Sequence, residues 1–274
     1  MKLYFAGAES IVYIDAINRG GGENCLVSYH QLQNKPKYLE KNSEYYGKQK
    51  RVFLDSGAFT AATKGITIDI DKYINYIKDN INNIAVHACL DVIGDPKKTE
   101  EQQLYMESQG VTPLPVFHFS KKNDYSIFEK MCEKYDYIAL GGVAMGIRDM
   151  PRVVDHFNKC FKIVGRYWAK GRKIRIHGFG VTAVSLLTQY PFYSADSTSW
   201  LSGPVFGNLY KWEGTRFSQT NYKKKAAAKF VNVELVQSYK GSYVHKALHN
   251  VIEFVKMEKY ITALWTKRGI TWDQ

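Results

Sequence analysis

Residues 54–59 read LDSGAF: a hydrophobic run ends in a carboxylate, and a glycine two residues later turns the chain. The same shape returns in YSADSTSW (193–200), where Asp196 ends the run. Between them stand AVHACLD (85–91), LPVFH (114–118), YIALGG (137–142) and KIRIHGFG (173–180), each an apolar stretch that closes on a polar residue or glycine. Strands that repeatedly deliver a side chain at their carboxyl ends are the pattern of a barrel active site. Working outward, apolar, β-branched or aromatic segments near 2–6, 24–29, 51–55, 85–90, 112–117, 137–141, 173–177 and 192–195 predict eight strands. Segments with helical spacing lie between many of them, at 70–81, 95–108, 124–135 and 150–171. Strand and helix alternating in this way predict an α/β fold, a (β/α)8 TIM barrel, with a doubly wound sheet as the rival.

The 274 residues, 45% of them hydrophobic, suffice for one large core, here read as a barrel domain over 1–215. From 216 to 274 the chain turns Lys-rich and Tyr-rich with helical spacing, which predicts a basic, mainly helical C-terminal extension packed on the barrel. Its Val251, Ile252, Phe254, Val255, Ile261 and Leu264 are expected to face the barrel, and Lys223, Lys224, Lys225 and Lys229 to face phosphates. No stretch reaches the roughly 18 apolar residues of a membrane span, and MKLYFAGAES lacks a signal peptide's apolar core. A soluble, cytoplasmic protein with no membrane partner is expected. Cys25, Cys89, Cys132 and Cys160 are scattered without a CxxC pair, so reduced, mostly buried thiols are expected and a cysteine-rich zinc site is not. The formal charge of +12 favours a polyanionic partner, nucleic acid first, because clustered Lys and Arg release counterions from phosphates.

Two carboxylates at strand ends of one barrel can divide labour: one attacks an electrophilic sugar carbon, the other moves a proton on the leaving group. Asp55 and Asp196 are the candidates. A lone strand-end Asp also serves as a helix N-cap or a loop hydrogen-bond acceptor, so spacing alone leaves both roles open.

Taken in order, these motifs resemble the tRNA-guanine transglycosylases, and more closely their DNA-acting relatives, the DpdA-type 7-deazaguanine DNA transglycosylases. Asp55-Ser56-Gly57-Ala58-Phe59 is similar to the family's Asp-Ser-Gly-Gly-aromatic motif, whose Asp is a general acid and base. Asp91 resembles the carboxylate that recognises guanine, and His118 falls where the family carries a base-contacting glutamine. The stretch from Ala139 through Gly141 and Gly142 to Gly146 is similar to the Gly-Gly-Leu-Ala-Val-Gly loop. His177 to Val181 resembles the next strand and turn, and Ala195-Asp196-Ser197 the motif of the nucleophile. The resemblance covers roughly residues 50 to 200.

What the resemblance implies is a pentosyltransferase that replaces guanine in DNA with a 7-deazaguanine, the 7-cyano or 7-aminomethyl form. Asp196 would be the nucleophile and Asp55 the acid and base. Asp91, His118, Gly141, Gly142, Ser56 and Phe59 would surround the base, with Phe117 and Trp200 as further stacking candidates. The co-substrate is the free 7-deazaguanine base, no cofactor is implied, and the target guanine must be flipped out or single-stranded. The chain lacks the Cys-x-Cys-x-x-Cys and His zinc motif of the tRNA enzymes, so no metal is expected; His245 and His249, four apart, are two ligands without a third. Relatives of this kind are encoded by phages and bacterial genomic islands, which implies a role in shielding DNA from restriction. A tRNA-guanine transglycosylase, a catalytically inactive nucleic-acid-binding barrel and an unrelated barrel glycosidase remain alternatives, and an oligomer remains open.

Overall fold

The computed structural model describes residues 1–46, 51–120, 123–142, 149–224 and 243–272. Eight strands form one parallel sheet: β1 (Lys2–Ala6), β2 (Asn24–Ser28), β3 (Val52–Asp55), β4 (Ile84–His87), β5 (Val116–His118), β6 (Tyr137–Gly141), β7 (Arg175–Gly178) and β8 (Ser194–Ser197). All eight expected strands are present, some displaced by up to four residues. Their order is β4-β3-β2-β1-β8-β7-β6-β5, every ladder parallel. The ladder is thus open between β4 and β5, where a single bridge joins Ala88 to Leu114. Two hydrogen bonds accompany it, from Leu114 N to His87 O at 2.8 Å and from Cys89 N to Leu114 O at 3.0 Å. The α/β architecture matches the sequence reading; the full eighth ladder of a closed barrel is not formed.

Because β1 is buried on both faces, its run KLYFA is apolar without alternation, as a parallel strand covered by helices requires. Helices Ile70–Asn80, Pro96–Ser108, Tyr125–Lys134 and Met150–Trp168 follow four of the strands, where their spacing predicted them. The carboxylates of Asp69, Asp95 and Asp124 cap the first three by accepting backbone N–H groups, and Pro96 fits the first helical position. Inside the sheet, Phe53 meets the rings of Tyr4 and His177 with centroids 5.3 and 4.8 Å apart.

The expected boundary at 215/216 falls in the turn of an antiparallel hairpin, β9 (Asn208–Trp212) with β10 (Phe217–Asn221). The 25-residue helix Tyr243–Lys267 packs against β9, β1 and the helix Ile11–Arg19. Val251, Phe254, Val255 and Ile261 are buried as expected, whereas Ile252 is exposed and Leu264 only partly covered. The sequence reading missed the polar part of this contact. Asn250, fully buried, accepts from Tyr210 N and donates to the carbonyls of Trp200 and Asn208. Glu253 accepts from Trp212 N, so the helix satisfies the free edge of β9 with side chains in place of another strand. His249 is buried against Tyr210 O at 2.7 Å. No helix of the described residues is long and apolar enough to cross a membrane.

Candidate active site

Parallel strands place all their carboxyl ends on one side of the sheet, so residues distant in sequence meet there. Asp55 ends β3, Asp91 follows β4, His118 ends β5, Gly141 ends β6 and Asp196 lies in β8. The register sets Asp55 beside Ser28 and Asp196 beside Tyr4.

Asp55 accepts from Gly57 N through Oδ2 at 3.0 Å, a tight local turn before the helix Ala58–Thr63. Gly57 has φ +79°, and a side chain there would also collide with Ser28 Oγ and His30 Cβ. Gly57→Ala is therefore expected to lower stability by about 2 to 4 kcal/mol, combining left-handed strain with overpacking; a urea midpoint unchanged from the parent would refute this. Burial pushes the Asp55 carboxyl up to about 7, with the charges of Asp91 and then Asp196 adding to the effect; the Gly57 N–H opposes them.

Asp91 is held on both oxygens. Ser56 Oγ donates to Oδ1 at 3.3 Å, and His118 Nε2 lies 2.6 Å from Oδ2. That imidazole contact is close but off the N–H direction, so it is not an aligned hydrogen bond, and His118 Nδ1 has no hydrogen-bond partner among the described residues. Gly141 backs onto the same ring: a Cβ there would stand 3.0 Å from His118 Cε1. Gly142, at φ +76°, turns against the backbone of Phe119, and Phe119 N donates to Gly141 O at 2.8 Å.

Asp196 is buried, and both of its contacts fall on Oδ1: Gly180 N donates at 2.8 Å, and His177 Nε2 stands 3.4 Å away. Oδ2 has no partner among the described residues. Asp91 and Asp196 therefore hold partners from other strands and cap no helix, which separates them from the capping aspartates Asp69, Asp95 and Asp124.

Two expectations are corrected. Trp200 is wholly buried, edge-on to Phe5 and Tyr13, and its indole N–H donates to Ala6 O; it is core. Phe117 is likewise buried against Phe128 and His156. Phe59 is half-exposed on the helix after Asp55. Lys223 and Lys224 are exposed just beyond β10, whereas Lys225, Lys229 and residues 143–148 lie outside the described residues.

Sequence reasoning missed Glu9, which follows β1 in the same strand-end position as the chosen aspartates. Its Oε1 accepts from Ser28 N at 2.8 Å, burial raises its carboxyl, and its charge adds to the lift on Asp55. The strand-end rule applied to YFAGAES would have found it. His177 was read only as part of a turn. The four cysteines are free and buried. No group of three or more His, Cys, Asp or Glu is placed to hold a metal ion among the described residues. Compared with models of known protein families and with curated proteins, the chain gives no significant match.

Proposed function

We propose that this chain is a (β/α)8 barrel that exchanges guanine in DNA for a 7-deazaguanine through a covalent sugar-aspartate intermediate. The bridge at Ala88 and Leu114, with its two hydrogen bonds, supports the barrel reading, because it links the chain just after β4 to the chain just before β5. The observation that carries the chemistry is the division among three clustered carboxylates. Asp196 has one oxygen anchored and one open, Asp91 is pinned by Ser56 and His118, and Asp55 is pushed up to about 7.

Asp196 Oδ2 attacks C1′ of the target nucleotide while the bond to the base breaks. Asp55, protonated below its titration point, gives its proton to the departing guanine. In the second half the incoming 7-deazaguanine loses its N9 proton to Asp55 and attacks C1′, which frees Asp196. The pair of carboxylates is restored without an external oxidant or reductant. Asp91 receives the N1–H and exocyclic amine of guanine; each carboxylate oxygen has a second lone pair beyond its present contact. Adenine lacks that donor pair. The order of the motifs, similar to the DNA-acting transglycosylases, and the +12 charge with exposed Lys223 and Lys224 favour DNA as the partner.

Duplex DNA, single-stranded DNA and tRNA carrying labelled guanine, each incubated with the protein and unlabelled 7-cyano- or 7-aminomethyl-7-deazaguanine, test this reading. Release from DNA is expected, dependent on added base and declining steeply as salt rises. Release from tRNA alone would move the protein to the tRNA branch. Hydrolysis of a small glycoside without nucleic acid would make it a different enzyme.

A further inference from the structure

His177 lies at the centre of a buried polar chain inside an otherwise aromatic wall. Its ring is fully buried between Phe53 and Phe179, at centroid distances of 4.8 and 4.6 Å, with Tyr4 at 6.0 Å. Nδ1 is 2.7 Å from Ser194 Oγ, which is 2.6 Å from the Tyr137 hydroxyl. On the other side Nε2 has no aligned hydrogen bond, and the Asp196 Oδ1 carboxylate oxygen stands 3.4 Å away.

For a ring carrying one proton, two arrangements fit the first two contacts. In one, Ser194 donates to Tyr137 and His177 Nδ1–H donates to Ser194, which leaves the Nε2 lone pair facing a carboxylate in a dry interior. In the other, Tyr137 donates to Ser194 and Ser194 donates to Nδ1, so the imidazole proton sits on Nε2 and points toward Asp196. The second gives both hydroxyl donors an acceptor and turns the Nε2 proton, in place of a lone pair, toward the carboxylate; an unpaired buried polar group is disfavoured by about 1 to 3 kcal/mol. At 3.4 Å the last contact is long and not aligned as a hydrogen bond, and it sets the Nε2 edge of the ring against the Asp196 carboxylate.

We infer that His177 is a positioning residue for Asp196: with its proton fixed on Nε2 by Ser194 and Tyr137, it holds Oδ1 beside the Gly180 N–H and turns Oδ2 toward the substrate. This rests on the reading of Asp196 as the nucleophile. Its logic is that of a base oriented by a third group, here applied to a carboxylate. Ser194 and Tyr137 touch no substrate; they set the tautomer.

Two readouts on the full-length protein decide it. In ¹⁵N-histidine-labelled protein, long-range proton–nitrogen spectra, with His177 assigned by its loss in His177→Gln, should show the neutral Nε2–H tautomer, and Ser194→Ala should mix the two forms. An Nδ1–H tautomer in the parent overturns the assignment. In single-turnover base release, His177→Leu should be slower by about 100-fold, the scale of losing one preorganised donor, with affinity for free base unchanged. His177→Gln, whose amide N–H reaches the place of Nε2, should stay within about 10-fold of the parent. Equal losses in the two variants, or full activity in His177→Leu, contradict the role. If the parent releases no base at all, the transglycosylase reading fails, and the tautomer still decides whether His177 presents its proton to Asp196.

Discussion

Asp196→Asn lowers base exchange roughly 10⁴-fold or more, because an amide cannot form the sugar-aspartate bond on which both half-reactions depend. The substitution is nearly isosteric, and the carbonyl of the amide can still accept from Gly180 N, so the fold should survive. A second, independent consequence follows from the electrostatics. The Asp196 charge is one of the two aspartates that lift Asp55, so Asp196→Asn should bring the Asp55 carboxyl down, read by ¹³C carboxyl titration. A variant that keeps normal exchange would remove Asp196 from the chemistry, and an unmoved Asp55 would contradict the coupling between the two groups.

Asp55→Asn carries effects of opposite sign on activity and stability. Exchange should fall roughly 10²- to 10⁴-fold, the range for losing general acid and base assistance. Stability should rise, and the pH window follows from the two titration points. The folded carboxyl titrates near 7 and the unfolded one near its ordinary 3.8, so ionisation is disfavoured by folding. The resulting penalty is absent below about pH 4, grows between about pH 4 and 7, and is complete above. Lifting a carboxyl that far corresponds to about 4 kcal/mol; with the group partly open at the mouth of the site, a gain of about 2 to 4 kcal/mol above pH 8 is expected. Denaturant unfolding of parent and variant at pH 4 and pH 8.5 checks this. Equal stability of the two proteins at both values would mean that Asp55 is an ordinary exposed carboxylate.

The strands were legible because parallel strands buried on both faces read as short apolar runs, and each ends abruptly in polar or glycine residues. The same abruptness marked Asp55, Asp91, His118 and Asp196, which the parallel ladder then collects on one side. Less legible were contacts made across strands. Nothing in IRIHGFG indicates that Gly180 N and His177 Nε2 both face the same oxygen of Asp196, since that depends on the neighbouring placement of β7 and β8. Trp200 looked like a stacking residue because it follows the nucleophile motif, but its ring turns into the wall formed by Phe5 and Tyr13. The polar face of the C-terminal helix was hidden for a related reason: nothing in the sequence marks Asn250 and Glu253 until the edge of β9 supplies their partners.

The most direct test of the account is to mix the protein with guanine-containing DNA in the absence of an incoming base, quench within the first turnover, and map the digested protein by mass spectrometry. A deoxyribose-linked oligonucleotide on the peptide containing Asp196 is expected, with one guanine released per adduct and neither product in Asp196→Asn. Guanine release with no adduct, or an adduct on another residue, would contradict the sugar-aspartate intermediate at Asp196.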